Sequence, residues 1–149
     1  MNQLKERSFA LLNAWTSCDT SLIADYLDPS FTEIDRPQPT VEGLAGFNDK
    51  LLAFHQAHGE VTLKIMSQIA TENIVCTAWA ITSALRAAES LGDGSPKLIS
   101  QVGVSWTYFS NGKIVKNRIY RDILGYMLQA GYRPSYPKSA APNPQETTA

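Results

Sequence analysis

Apolar residues recur at helical spacing in the N-terminal part of the chain and at every second position afterwards. Leu4, Leu11, Leu12 and Trp15 form one face of a helix predicted over residues 2–17. Asp19 and Thr20 can cap a second, short helix, in which Leu22, Ile23, Tyr26 and Leu27 recur at helical offsets and which Pro29 ends. Phe31 to Arg36 reads as a short strand stopped by Pro37 and Pro39. A third helix follows Gly43 and Gly46, over about residues 44–58. Its stripe is Phe47, Leu51, Leu52 and Phe54, and Gly59 closes it.

After Gly59 the period falls to two. Val61, Leu63 and Ile65 alternate with Thr62, Lys64 and Met66. Ile74 to Leu85 is a second long strand, reached through a turn at Thr71-Glu72-Asn73. Residues 89–97 are loop-like, with Gly92, Asp93, Gly94, Ser95 and Pro96. Leu98 to Phe109 and Lys113 to Asp122 are the last two strands. They are joined at Asn111-Gly112, where both residues tolerate positive φ. Leu124 to Gln129 reads as one helical turn before Gly131. Helices grouped ahead of long antiparallel strands predict an α+β fold. Three N-terminal helices would pack on a strongly curved, mainly antiparallel sheet and leave a cone-shaped cavity. The domain spans residues 1–132. Residues 133–149 read as a flexible extension, because half of the eight prolines lie there.

Composition narrows the function. The 149 residues are 44% hydrophobic and 18% charged, a profile that excludes a disordered chain and a disulfide scaffold. Thirteen Lys and Arg against 14 Asp and Glu are scattered without a basic tract, so nucleic acid and an anionic membrane are not the expected partners. Met1 to Arg7 is polar and does not read as a signal peptide. Cys18 and Cys76 lack CxxC spacing and read as small apolar residues, which fits a reducing cytoplasm. His55 and His58, three apart, have no third ligand in any metal-binding spacing, so both read as ordinary helix-end residues and no metal is expected.

The C-terminal third carries a specific resemblance. Gly112-Lys113-Ile114-Val115, then Asp122, Leu124, Gly125, Gln129 and Gly131, resembles the closing signature of SnoaL-like polyketide cyclases. These belong to the nuclear-transport-factor-two-like, or cystatin-like α+β barrel, superfamily. Trp15 before Asp19, and Phe31 to Asp35 before Gly43 and Phe47, are similar to the superfamily in order and spacing. The resemblance covers roughly residues 5–132 and implies a cone-shaped α+β barrel. It implies no cofactor, a small hydrophobic substrate and a homodimer through the outer sheet face. The apolar set Val115, Ile119 and Ile123 is a second reason to expect that dimer.

The resemblance gives Asp122 the role of principal general acid/base. The competing reading is a cap on the following turn. Strand parity puts Asp122 with Tyr120, Arg118, Lys116 and Ile114, the less apolar face; Val115, Asn117, Ile119, Arg121 and Ile123 form the other. Asp35 is the second carboxyl candidate, placed much as ketosteroid isomerases place their base. Its alternative is a solvated residue paired with Arg36. Many SnoaL-like cyclases have a histidine hereabouts, where this chain has Glu33, Ile34 and Asp35. Tyr120 is expected to orient a substrate oxygen, with Tyr26 as a weaker candidate. Trp15, Trp79, Trp106 and Arg118 complete the expected substrate-binding set, although tryptophans on long strands are commonly core. Gln101 and Asn117 are either pocket hydrogen-bonders or exposed ladder residues. The leading expectation is a cofactor-independent acid/base enzyme cyclising, isomerising or dehydrating a polyketide-like intermediate. A non-catalytic module of the same fold, and an epoxide hydrolase or epoxide-opening cyclic-ether synthase, are the alternatives.

Overall fold

The computed structural model describes residues 2–86 and 95–135. Within them a first helix, α1 (Asn2–Ser17), buries Ser8, Leu11, Leu12, Ala14 and Trp15; Leu11, Leu12 and Trp15 belong to the predicted stripe, and its fourth member, Leu4, is half-buried. It ends where Cys18 turns to positive φ while its N–H reaches the Ala14 carbonyl. Residues 21–26 are turns rather than a second helix, held by Ala24 N–H to the Thr20 carbonyl and Leu27 N–H to the Ile23 carbonyl. Helical spacing is present there, but parallel pairing of Leu27 with Ile114 draws the chain into a strand. That strand, β1 (Leu27–Ile34), is longer than predicted and passes through Pro29. The proline is accommodated at a register shift between Leu27 and Thr32, where no ladder bond is required of its missing N–H.

A two-residue strand, β2 (Val41–Glu42), leads into α2 (Gly43–Ala57). Gly43 enters this helix at φ +68. The helix closes without help from Gly59, since His58 is already extended and begins the next strand. Phe47 and Leu51 are buried, and Phe47 meets Trp15 and Phe31 edge-on at 6.0 Å between ring centroids. The long strands follow as β3 (His58–Ala70), β4 (Ile74–Leu85), β5 (Leu98–Ser110) and β6 (Lys113–Arg121), and α3 (Ile123–Gln129) comes last. The sheet order is β2-β1-β6-β5-β4-β3, antiparallel except for β1 against β6. Register shifts in β3–β4 and in β5–β6 are bulges that curl the sheet around α1 and α2. The result is the expected cone-shaped α+β barrel, with the third helix at its C-terminal end.

A bulge near the start of β6 changes the facing of Ile114 alone. Tyr108 pairs with Lys116 and Phe109 with Ile114, so Val115 has no partner on β5. Ile114, Asn117 and Ile119 are buried, whereas Lys116, Arg118 and Tyr120 are exposed. Beyond the end of β6 the edge of β5 is taken over by α3. The Asp122 N–H reaches the Val102 carbonyl. The Gln129 amide then accepts from Ser100 N–H and donates to the Ser100 carbonyl, both at 2.8 Å.

Among the described residues no helix is long and apolar enough to cross a membrane. The loop expected over residues 89–97 and the Pro-rich extension fall largely outside the described residues.

Candidate active site

The curled sheet leaves a cavity of about 550 Å³ between its inner face, α1 and α2. Most of the wall is apolar: Leu12, Trp15, Phe54, Trp79, Ile81 and Ile119. Trp79 lies flat across Gly103 because that position has no Cβ; an added one would stand 2.5 Å from its ring. Its Nε1 donates to Ser105 Oγ at 2.9 Å, which fixes the ring.

A charged cluster interrupts this wall. Asp35, just past β1, is only 5% exposed. Its Oδ1 accepts from Arg121 Nε at 2.8 Å, and its Oδ2 faces Lys50 Nζ at 3.1 Å. Lys50 also binds Glu33 Oε1 at 2.7 Å, and Glu33 is fully buried. Arg121 Nη1 donates to Gln101 Oε1 at 2.8 Å. The two cations and two carboxylates balance, which is the condition for charge to remain in a low-dielectric wall. Arg121 Nη2 has no hydrogen-bond partner among the described residues, so the guanidinium keeps donors for a ligand oxygen.

A second polar pair lies on the same cavity. His58 stacks on Phe54 at 4.3 Å. Its Nδ1 is 3.0 Å from the Phe54 carbonyl, which can only accept, so Nδ1 carries the proton and Nε2 is an acceptor. Tyr126, from α3, donates its hydroxyl to Nε2 at 3.1 Å. Burial pushes the His58 pKa below its ordinary value, against the opposing Phe54 hydrogen bond, and His55, Arg121 and Arg86 add to the lowering. Burial likewise raises the Tyr126 hydroxyl. At neutral pH the pair is therefore neutral imidazole and neutral phenol.

Asp35, Trp15 and Trp79 lie on the cavity as the sequence suggested. The expectation that Asp122 faces the pocket is corrected: Asp122 is exposed and caps α3, with Oδ1 accepting from Gly125 N–H at 2.8 Å. A Cβ at Gly125 would collide with that carboxylate, so Asp122 and Gly125 are two halves of one turn. With the Gln129 clamp, this gives most of the closing signature a structural purpose. Tyr120 (55% exposed), Trp106 (40%) and Arg118 stand on the outer face, away from the cavity. Alternation along β6 turns Arg118 and Tyr120 outward, and Trp106 follows because it pairs with Arg118. Tyr26 does not line the cavity either; Arg7 covers its ring at 5.2 Å. Ile119 is buried against the cavity and is not available to an outer-face dimer. Asp35 pairs with Lys50 and Arg121, not Arg36.

Three site residues were not proposed from the sequence: Lys50, Arg121 and Tyr126; His58, expected to be an ordinary helix-end residue, is instead buried on the cavity wall, because β3 begins there and its ring packs on Phe54. Two carried a readable signal. Arg121 shares strand parity with Asn117 and Ile119, so a cation sat on the more apolar face. Lys50 falls three after Phe47 and four before Phe54, on the apolar stripe of α2. His58 and Tyr126 meet across 68 positions and had no local signal.

The fold and site together define a small α+β cone holding a ligand-sized, mostly apolar cavity with acid/base groups in its wall. The chain belongs to the SnoaL-like polyketide cyclase family, whose model matches residues 7–130. Solved structures share the fold. AclR from Streptomyces galilaeus is 20% identical, with TM-score 0.71 over 93% of this chain and 91% of that one. A protein of ketosteroid isomerase-like fold from Catenulispora acidiphila, in complex with trimethylamine, is 14% identical, with TM-score 0.72 over 87% and 98%. An LEH-like epoxide hydrolase of M. tuberculosis is 15% identical, with TM-score 0.64 over 87% and 90%. No curated protein sequence matches the chain.

Proposed function

We propose that the chain is a cofactor-independent enzyme that moves protons on an apolar, carbonyl-bearing natural-product intermediate, leading to its cyclisation, isomerisation or dehydration. The observation that carries this reading is the buried Asp35 carboxylate, pinned between Arg121 and Lys50 in the wall of an apolar cavity. Asp35 takes a proton from the carbon beside the carbonyl. A carboxylate offers about four acceptor positions, and two cations do not exhaust them. Arg121 Nη2 donates to the substrate oxygen as it becomes an enolate, the kind of fixed donor that is most effective in a dry site. The neutral His58–Tyr126 pair is a second point of proton exchange, separate from Asp35. A proton can thus leave one atom of the substrate and return at another. Trp15, Trp79 and Phe54 favour a flat, apolar molecule.

The test is deuterium exchange. The protein is incubated in D2O with a panel of apolar ketones and 1,3-diketones, and label at the α-carbon is followed by NMR. Protein-dependent exchange that is lost in Asp35→Asn and retained in Asp122→Asn supports the reading. Tight binding without exchange points to a ligand carrier instead. The same reading includes a homodimer through the outer sheet face, where Val102, Trp106 and Tyr120 stand exposed. Sedimentation of Trp106→Arg against wild type tests it.

A further inference from the structure

A line of buried polar side chains crosses the core and ends on Glu33. Asn117 Nδ2 donates to Glu33 Oε2 at 2.9 Å, and Lys50 occupies Oε1. Asn117 must therefore turn its Oδ1 toward Thr107, whose hydroxyl donates to it at 3.2 Å. That uses the one proton of Thr107. The 3.0 Å contact with Ser8 then requires Ser8 to donate and Thr107 to accept. The same count makes Thr77 the donor across its longer 3.4 Å contact with Ser8, and Gln68 Nε2 donates to Thr77 Oγ1 at 3.1 Å. Five consecutive donors point one way. Ser8, Thr77, Thr107, Asn117 and Glu33 are all at 0% exposure, so bulk solvent does not reach them.

We infer that Glu33 is a positioning residue: the aligned donors hold its carboxylate in one orientation, and that carboxylate fixes the Lys50 ammonium between Glu33 and Asp35. Aligned hydrogen bonds polarise one another, so the last one, onto Glu33, is strengthened by those before it. Lys50 has a flexible stem and would otherwise sample several rotamers. Here its charge is tied at 2.7 Å to a residue that cannot move and at 3.1 Å to the one that must be placed. The proposed place of Lys50 beside the reacting carboxylate rests on the reading of Asp35 as proton acceptor. The ordering of Lys50 does not, and it is measurable without any substrate.

The experiment follows the Lys50 ammonium by proton–nitrogen NMR in the full chain at low temperature, with the signal assigned by its loss in Lys50→Met. In wild type the ammonium protons exchange slowly enough to give a signal of their own. Glu33→Gln leaves Lys50 facing a neutral oxygen. Its protons are expected to exchange faster by about tenfold or more, the size of effect carried by one charge-assisted hydrogen bond. Thr107→Val breaks the donor line midway with little change of shape, and is expected to shift exchange the same way by less. It carries the test if Glu33→Gln does not fold. A role confined to stability would lower the unfolding midpoint and leave the ammonium exchange at the wild-type rate in the folded variants. That result overturns the inference. Failure of the deuterium experiment in wild type would remove the proposed reaction and leave this result standing.

Discussion

Arg121 Nε stands 2.8 Å from Asp35 Oδ1, joining the end of β6 to the residue just past β1 across 86 positions. The parallel pairing of those strands, with Ile34 opposite Arg118, brings the two together. The contact makes this part of the cavity wall both a structural joint and the site of charge.

Asp35→Asn is therefore expected to act twice. Proton exchange into an apolar ketone should fall by about 100-fold or more, as for loss of a general base. Stability should fall by about 3 kcal/mol, because Arg121 is then left without a carboxylate in a poorly hydrated wall while Lys50 keeps only Glu33. Exchange rates and urea unfolding on the same preparation separate the two effects.

Asp122→Ala should behave in the opposite manner. It removes the bond to Gly125 N–H at the start of α3. Loss of such a cap costs about 1 kcal/mol. Exchange activity should stay near wild type, and a large loss of activity at unchanged stability would return Asp122 to the chemistry.

His58 gives a pH dependence of definite sign. Its pKa is lower in the folded state than the ordinary 6.5, chiefly through burial. As pH falls below about 6.5 the unfolded chain takes up a proton first, so stability declines until the folded pKa is reached and then levels. Above that window His58 contributes no slope. Urea midpoints measured between pH 5 and 8 should show a decline toward acid that is smaller in His58→Gln.

Gly103→Ala tests how the cavity wall is built. The new methyl group would meet Trp79 Cζ2 at 2.5 Å and the Tyr120 carbonyl at 2.8 Å. Trp79 must move, its bond to Ser105 is lost, and stability should drop by about 1–3 kcal/mol. A shift in tryptophan fluorescence with unchanged far-ultraviolet circular dichroism would locate the change at that ring.

Element identity was legible in the sequence wherever one face is buried and the other wet. β4 was legible by composition: a run rich in Thr, Val, Ile and Trp predicted Ile74 to Leu85, the observed bounds, and burial there alternates from Ile74 to Ser83. The failure at residues 21–26 came from a long-range ladder that local spacing does not register. The site was legible only in part for a related reason. Asp35 was found because it lies near its glycine and aromatic landmarks. Asp122 was misplaced because a recurrent aspartate beside a glycine reads the same whether it caps a turn or moves a proton. Simple parity already turned Asp122 away from the apolar face, and the structure agrees with it. The bulge at Val115, invisible to any counting rule, moved only Ile114 from one face to the other.

The amide of Gln129 occupies both backbone groups of Ser100 where β6 has already ended. A strand edge left open at that point would offer a ladder to any passing chain. One side chain thus does the work of two further residues of strand. The sheet ends there without exposing the kind of edge from which fibrils grow.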